Sequence, residues 1–394
     1  MMNTWILTLV LAGLTMIGPF ATDTFLPSFP AIANQFSISM TQVQQSLSVY
    51  LLAFSAMSLF YGTLSDSFGR RPVILGSLIL FTLASVGAAL SPSFEWLLVC
   101  RVLQGLSAGG GLVISFAITR DRFSGAEAQK LMSHIMMVFG LAPAVAPIAG
   151  GFLQQHFGWQ SGFYFMALIG ALLLLSSVIW LQESLPEAAR TPFHPTTLTR
   201  NYLTALTHPQ FLFRALAYSA AFGGMAIYIS AAASFVMDIL HKPETAFAWL
   251  FVPMIGGMIL GSATNARLAH RVSSNSLLAL GLGAMAVATL ANVTYNRFFA
   301  AELPWVVLPI MLYTFGLGLA LPIMSMKTLD IFPSLRGLSS SLLNFFQMLV
   351  FSLISGIVVP LVFSSALLIA CAMLGCMLVA LLCWGIALFL SRRH

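Results

Sequence analysis

Charge is scarce in this 394-residue chain: 7% of its residues are Asp, Glu, Lys or Arg, where a soluble domain carries about 25%. The 17 basic and 11 acidic side chains cannot cover the surface of a water-soluble molecule of this size. Apolar residues make up 59%, against about 45–50% in soluble domains, so the chain reads as an integral membrane protein. Cysteine is scarce too. Cys100, Cys371, Cys376 and Cys383 all fall inside apolar runs and read as reduced packing residues, without a disulfide framework. No Gly-x-x-x-x-Gly-Lys-Ser/Thr loop is present, which excludes direct use of ATP. No His/Cys/acid cluster has metal-ligand spacing, and no Ser-His-Asp or paired-carboxylate arrangement is suggested. An enzyme, a metal site and an organic cofactor are therefore not expected.

What is abundant is the long apolar run. A bilayer crossing takes about 20 mostly apolar residues. Such runs predict twelve helices, over 5–33, 42–64, 72–91, 94–119, 131–155, 160–182, 210–236, 246–268, 275–296, 303–328, 337–361 and 363–390. No cleavable signal is expected at the N-terminus, where the first apolar run is too long and no Lys or Arg precedes it. An even number of crossings puts both termini on one side. Loops on that side hold Arg70, Arg71, Arg120, Arg122, Lys130, Arg190, Arg200, Arg214, Arg267, Arg271, Lys327, Arg336, Arg392 and Arg393; the other side has only Lys242 and Arg297, and Arg101 lies within a helix. By the positive-inside rule the termini are cytoplasmic, in a plasma (inner) membrane. The sequence pI of about 9.4 is then topological and implies no nucleic-acid partner.

One long polar connection, residues 183–209, divides the helices six and six. It separates an N-terminal bundle (1–182) from a C-terminal bundle (210–394) and reads as a linker, with Pro186, Pro192 and Pro195. A weak internal repeat agrees. Gly62-Thr-Leu-Ser-Asp66 at the end of helix 2 is echoed by Gly261-Ser-Ala-Thr-Asn265 at the end of helix 8. Two pseudo-symmetric six-helix bundles around a midplane cavity are an arrangement of secondary transporters. Short external loops leave no room for a receptor ectodomain, so a receptor or scaffold without transport is disfavoured.

The loop between helices 2 and 3 runs Gly62-Thr-Leu-Ser-Asp66-Ser-Phe-Gly69-Arg70-Arg71-Pro72. Gly69 suits a turn with positive φ. Asp66, Arg70 and Arg71 can join Arg120, Asp121 and Arg122 at the inner end of helix 4 in a charge cluster that biases a conformational switch; plain positive-inside anchoring is the alternative. This string resembles the signature loop of the major facilitator superfamily. Arg101-Val-Leu-Gln104-Gly105-Leu-Ser-Ala-Gly109-Gly110 on helix 4 is similar to that superfamily's second motif. Gly140-Leu-Ala-Pro143-Ala-Val-Ala-Pro147-Ile-Ala-Gly150-Gly151 on helix 5 resembles the motif of its antiporter branch. Asp23-Thr-Phe-Leu-Pro27-Ser-Phe-Pro30 is close to the first-helix pattern of Bcr/CflA-type drug:proton antiporters. The motifs cover helices 1–5. The resemblance implies an all-α, twelve-helix major facilitator fold, a small-molecule substrate, H⁺ as coupling ion, and proton coupling through the helix 1 acid and the helix 4 arginine.

Read physically, Pro143 and Pro147 remove backbone donors and bend helix 5, while its glycines flatten a face. Helix 8 offers Gly256, Gly257 and Gly261 as a matching surface between the halves, to be set against ordinary transmembrane packing. Asp23 is the only acid deep in an apolar run and Arg101 the only deep cation. A charge at the bilayer centre costs about 2.5–3.5 kcal/mol, so Asp23 needs a partner, a proton or a wet cavity. Helix depth places the two near enough for a direct or water-mediated pair, either a coupling element or a static ion pair. Tyr50, Gln104, Asn344 and Gln347 are polar positions that can line the cavity or bond neighbouring helices. Lys327, beside Asp330, is either a snorkelling lysine or a substrate-attracting cation near the inner mouth. His134 reads as an interfacial residue. The leading function is proton-coupled export of drugs or other small amphipathic compounds by alternating access, by a monomer. The alternative is an exporter or importer of one polar metabolite, such as a siderophore.

Overall fold

The computed structural model describes residues 4–190, 195–269, 271–332 and 335–391, and every regular element among them is helical. Among the described residues, eleven helices are long and apolar enough to cross a bilayer. Met40–Ser58 and Tyr61–Phe68, bent by 49° at their junction, give a twelfth crossing when taken as one span. The crossings are α1 (Trp5–Phe36), α2 (the bent pair), α3 (Arg70–Ala89), α4 (Phe94–Arg122), α5 (Gly125–Phe157), α6 (Gln160–Trp180), α7 (Pro209–Ser230), α8 (Ala248–Leu268), α9 (Ser274–Phe298), α10 (Leu308–Leu329), α11 (Arg336–Val362) and α12 (Ala366–Ser391). All twelve expected spans are present. The main boundary differences are α5, which begins six residues earlier than its apolar run, and α7, which ends at Ser230 before a π-helical turn, Ser234–Ile239. Arg392, Arg393 and Pro192 lie outside the described residues.

The chain divides into two compact units between Pro195 and Thr196, inside the expected linker. That segment is not a bare connection. Its first residue, Glu183, bonds to the start of α3 in the first unit. Its second half holds a helix, Pro195–Leu206, which buries Ala205 and hydrogen-bonds Tyr202 to Ser341 of α11 in the second unit.

In the first unit α1 is broken. A helix runs Thr4–Asp23, a 3₁₀ turn covers Leu26–Ser28, and helix resumes over Phe29–Phe36. Pro27 and Pro30 explain the break, because each lacks the N–H that would bond four residues back, Pro27 to the carbonyl of Asp23. Asp23 is thereby the last residue of a helical segment. The broken α1 packs on α5 through a small-residue stripe. Ala142 and Ala146 enclose Phe20, and Gly150 abuts the Thr24 carbonyl so closely that a Cβ there would overlap it. The flattened face of α5 is thus occupied within its own unit, by α1.

The second unit lays α7 along α12, and α8 and α9 along α10. Gly257 and Gly261, expected to face the other half, sit instead against the carbonyls of Met311 and Phe315 on α10. Gly256 and Gly140 have open space where a Cβ would stand. This contrast gives a prediction. Gly150→Ala loses about 1–3 kcal/mol to overpacking, whereas Gly140→Ala gains up to roughly 1 kcal/mol of helix propensity. Thermal unfolding of the two purified variants checks it, and equal melting points would refute the packing assigned to Gly150.

Candidate functional site

The deep polar residues of the first unit converge on Arg101. Its side chain is fully buried. Nη1 donates to the Ala21 carbonyl at 3.0 Å and to Gln104 Oε1 at 2.8 Å, and Nε donates to the Ser46 carbonyl at 3.2 Å. The rings of Phe25 and Tyr50 lie 4.1 and 4.3 Å from Cζ, within cation–π range. Gln104, buried in turn, donates through Nε2 to Ser85 Oγ on α3 at 2.8 Å. Tyr50 donates to the Gly18 carbonyl of α1 at 3.2 Å. One guanidinium therefore joins α1, α2 and α4 directly and reaches α3 through Gln104. Tyr50 and Gln104 serve this cage and bond neighbouring helices, one of the two roles their sequence positions allow.

Asp23 is 2% exposed, two residues after Ala21 and two before Phe25, the points where Arg101 grips α1. Among the described residues no ion pair joins Asp23 to Arg101, and Asp23 Oδ1, Thr24 Oγ1 and Arg101 Nη2 make no hydrogen bond. Of the two forms of pairing that helix depth allows, the direct one is not formed. Similar depth along two helices says nothing about azimuth, and backbone carbonyls at the α1 break and on α2 occupy the guanidinium instead. What results is a buried acid with no cation bound to it, beside a cation held by neutral acceptors. Such a carboxyl can change protonation without breaking a salt bridge.

A second site lies at the ends of α2, α3 and α4 that adjoin the start of the linker. Gly69 turns the chain with φ +97°. Arg70 donates through Nη1 to Asp66 Oδ1 (2.5 Å) and Ser65 Oγ (2.7 Å), and through Nε to Asp121 Oδ2 (3.0 Å). Arg71 Nη2 donates to the Val178 carbonyl and Arg122 Nη2 to the Gln182 carbonyl, both on the approach to the linker. Arg120 does not join the cluster. Its Nε donates to the Phe116 carbonyl one turn back on the same helix, on an exposed face. Gly62 is uncrowded. The sequence reading missed Ser65, Ser184 and Glu183. Ser184 Oγ donates to Asp121 Oδ2 at 2.8 Å. The Glu183 carboxylate accepts the backbone N–H groups of Arg70, Arg71, Ser184 and Leu185 at 2.9–3.1 Å. Its partial burial acts to raise the Glu183 pKa, but the donated N–H groups outweigh that and hold it below the usual carboxylate range.

The second unit does not repeat this cluster. At the position of Asp66, Asn265 donates to the Leu319 carbonyl of α10 at 3.0 Å, an amide engaged with backbone where the other half has an acid engaged with arginine. Lys327 offers its carbonyl to Arg214, while Asp330 pairs with Arg336 at 2.8 Å. Asn344 and Gln347, three apart on α11, are half-buried. His134 stacks on Trp5 (centroids 6.3 Å apart) at the rim of a cleft of about 160 Å³ that Glu127 and Lys130 also line.

A twelve-crossing helical chain with one unpaired buried acid, a caged arginine and a charge cluster where its helices meet the linker has the parts of a secondary transporter rather than of an enzyme. The chain belongs to the Major Facilitator Superfamily, whose family model matches residues 11–355. It is 32% identical over 354 residues to the MFS-type transporter YdgK of Bacillus subtilis (strain 168), covering 89% of this chain and 88% of that one. It is 33% identical over 280 residues to the bicyclomycin resistance protein homolog of Haemophilus influenzae (strain ATCC 51907 / DSM 11121 / KW20 / Rd), covering 71% and 70%. The solved human organic anion transporter TETRAN shares the fold, with a TM-score of 0.69 at 18% identity over 97% and 98% of the two chains. The protein is thus a multi-pass membrane transporter of small molecules. Its resemblance to the Bcr/CflA-type drug-transporter branch, carried by the first-helix motif, agrees with the resistance protein among these relatives.

Proposed function

We propose that this transporter is a proton-coupled antiporter that exports drugs or other small amphipathic compounds from the cytoplasm across the inner membrane, with both termini cytoplasmic. The observation that carries the reading is Asp23, a carboxyl buried at a helix break with no cation bound to it. A proton enters at Asp23 from the outer side, substrate binding displaces it towards the cytoplasm, and the alternation of the two halves exchanges one for the other. A proton crossing 100 mV gains about 2.3 kcal/mol, enough to drive export against a gradient. Asn344 and Gln347 supply polar contacts to the substrate. The bicyclomycin resistance relative supports a drug as cargo. No metal or organic cofactor takes part in this cycle.

The test is transport into proteoliposomes under an imposed pH gradient, screened over several unrelated amphipathic compounds. Substrate-dependent proton movement opposite to the compound is expected for more than one of them. Proton movement in the same direction as the compound, or none with any compound, would remove the antiport reading. Activity with a single polar nutrient alone would replace drugs by one metabolite.

A further inference from the structure

We propose that Glu183, three residues beyond the end of α6, is a positioning residue of the inner charge cluster: it seats the N-terminus of α3 so that Arg70 is held between Asp66 and Asp121. The role rests on the reading of Asp66, Arg70 and Asp121 as a conformational switch, but it stands on its own geometry. The first N–H groups of a helix have no partner within the helix, and the helix dipole favours an anion there. At α3 that anion comes from 113 residues away. Glu183 Oε1 accepts from Arg70 N at 3.0 Å, and Oε2 accepts from Arg71 N at 3.1 Å. A Cβ on residue 69 would come within 2.6 Å of the same carboxylate, so the glycine that turns the chain also leaves room for Glu183.

The residue after Glu183 completes a closed circuit. Ser184 Oγ donates to Asp121 Oδ2, the oxygen that also accepts from Arg70 Nε. Glu183 therefore fixes the backbone of Arg70 while Ser184 fixes the acceptor of its side chain. Two further contacts bring the same short stretch to the cluster, Arg122 to the Gln182 carbonyl and Arg71 to the Val178 carbonyl. The start of the linker is thereby part of the hinge. Any rearrangement that parts Arg70 from Asp121 must either carry Glu183 and Ser184 along or release them.

The experiment is hydrogen exchange on the full-length protein in lipid nanodiscs without substrate, wild type against Glu183→Gln, with transport turnover measured alongside. An amide side chain keeps the size of Glu183 but faces at least one donor with another donor. Exchange at residues 70–73 is expected to quicken roughly 10–100-fold. Exchange at 63–68 and 119–122 should quicken with it, because Arg70 loses its fixed origin. Turnover falls about tenfold with KM within twofold, since the substrate contacts are untouched. Ser184→Ala is expected to reproduce the effect at 119–122 and, combined with Glu183→Gln, to add little. Quickening confined to 70–73 would mean a simple helix cap and overturn the positioning role, as would no quickening at all. Quickening in all three segments with a wild type that moves no drug upholds Glu183 and refutes only the cargo proposed above.

Discussion

Asp23→Asn is expected to abolish uphill, pH-gradient-driven transport while leaving the fold and downhill substrate exchange intact. Asparagine reproduces the shape of a protonated aspartate and cannot release a proton. Because no salt bridge holds Asp23 in place, the substitution strands no buried cation. Arg101 keeps its bonds to Ala21, Ser46 and Gln104. The usual penalty of about 3–5 kcal/mol for removing one member of a buried ion pair is therefore absent, and the melting temperature should hold. What is lost is the drive. One proton across 100 mV is worth about 2.3 kcal/mol, or roughly 40-fold in accumulation, and the variant should concentrate substrate no further than equilibration. Accumulation and counterflow exchange, measured in the same vesicles, separate the two. Undiminished accumulation by Asp23→Asn would remove Asp23 from coupling, and a collapse of both together with the melting point would make it a structural residue.

The twelve crossings were legible because a bilayer demands runs of apolar residues whatever packs beside them. The contacts inside the bundle were less so. Asp23 and Arg101 were matched by depth, but depth fixes height along a helix and leaves rotation free, and the acceptors that hold Arg101 are mostly backbone carbonyls, which carry no residue signature. The break in α1 did have a signal, Pro27 and Pro30 three apart, since each deletes a donor from the helical ladder. Gly150 and Gly261 announced close approach without naming the partner, which in both cases is a helix of the same unit. Glu183 was hidden differently. It sits at the head of a polar connection where an acid looks like solvated surface, and its partners are N–H groups from a distant part of the chain. Arg120 shows the converse: it falls within the charged string, but its place on α4 turns it away from Asp66 and Asp121.

Arg101 offers the second large effect, and the choice of substitution decides what it tests. Arg101→Ala removes three hydrogen bonds and two ring contacts and leaves a void among α1, α2 and α4. A loss of about 3–5 kcal/mol, as for other large buried side chains, follows, and with it function, so the variant says little about mechanism. Arg101→Met keeps most of the volume and removes the charge. Desolvating a guanidinium is costly, and an apolar replacement of similar size at a buried charge is often neutral or stabilising. Against this, the Ala21 and Ser46 carbonyls and Gln104 Oε1 lose their donor, the buried amide oxygen at a cost of about 1–3 kcal/mol. The two terms oppose each other, and the methionine variant should melt within a few degrees of wild type. Its transport should nevertheless fall to background, because the positive charge beside Asp23 is gone. Arg101→Lys keeps the charge but lacks the planar fork that reaches Ala21, Ser46 and Gln104 together, and should retain only a small part of the activity. Melting curves and vesicle transport on the three variants settle the point. A methionine variant that transports normally would reduce Arg101 to a staple between helices, whereas one that folds and is inert makes the caged cation part of the coupling.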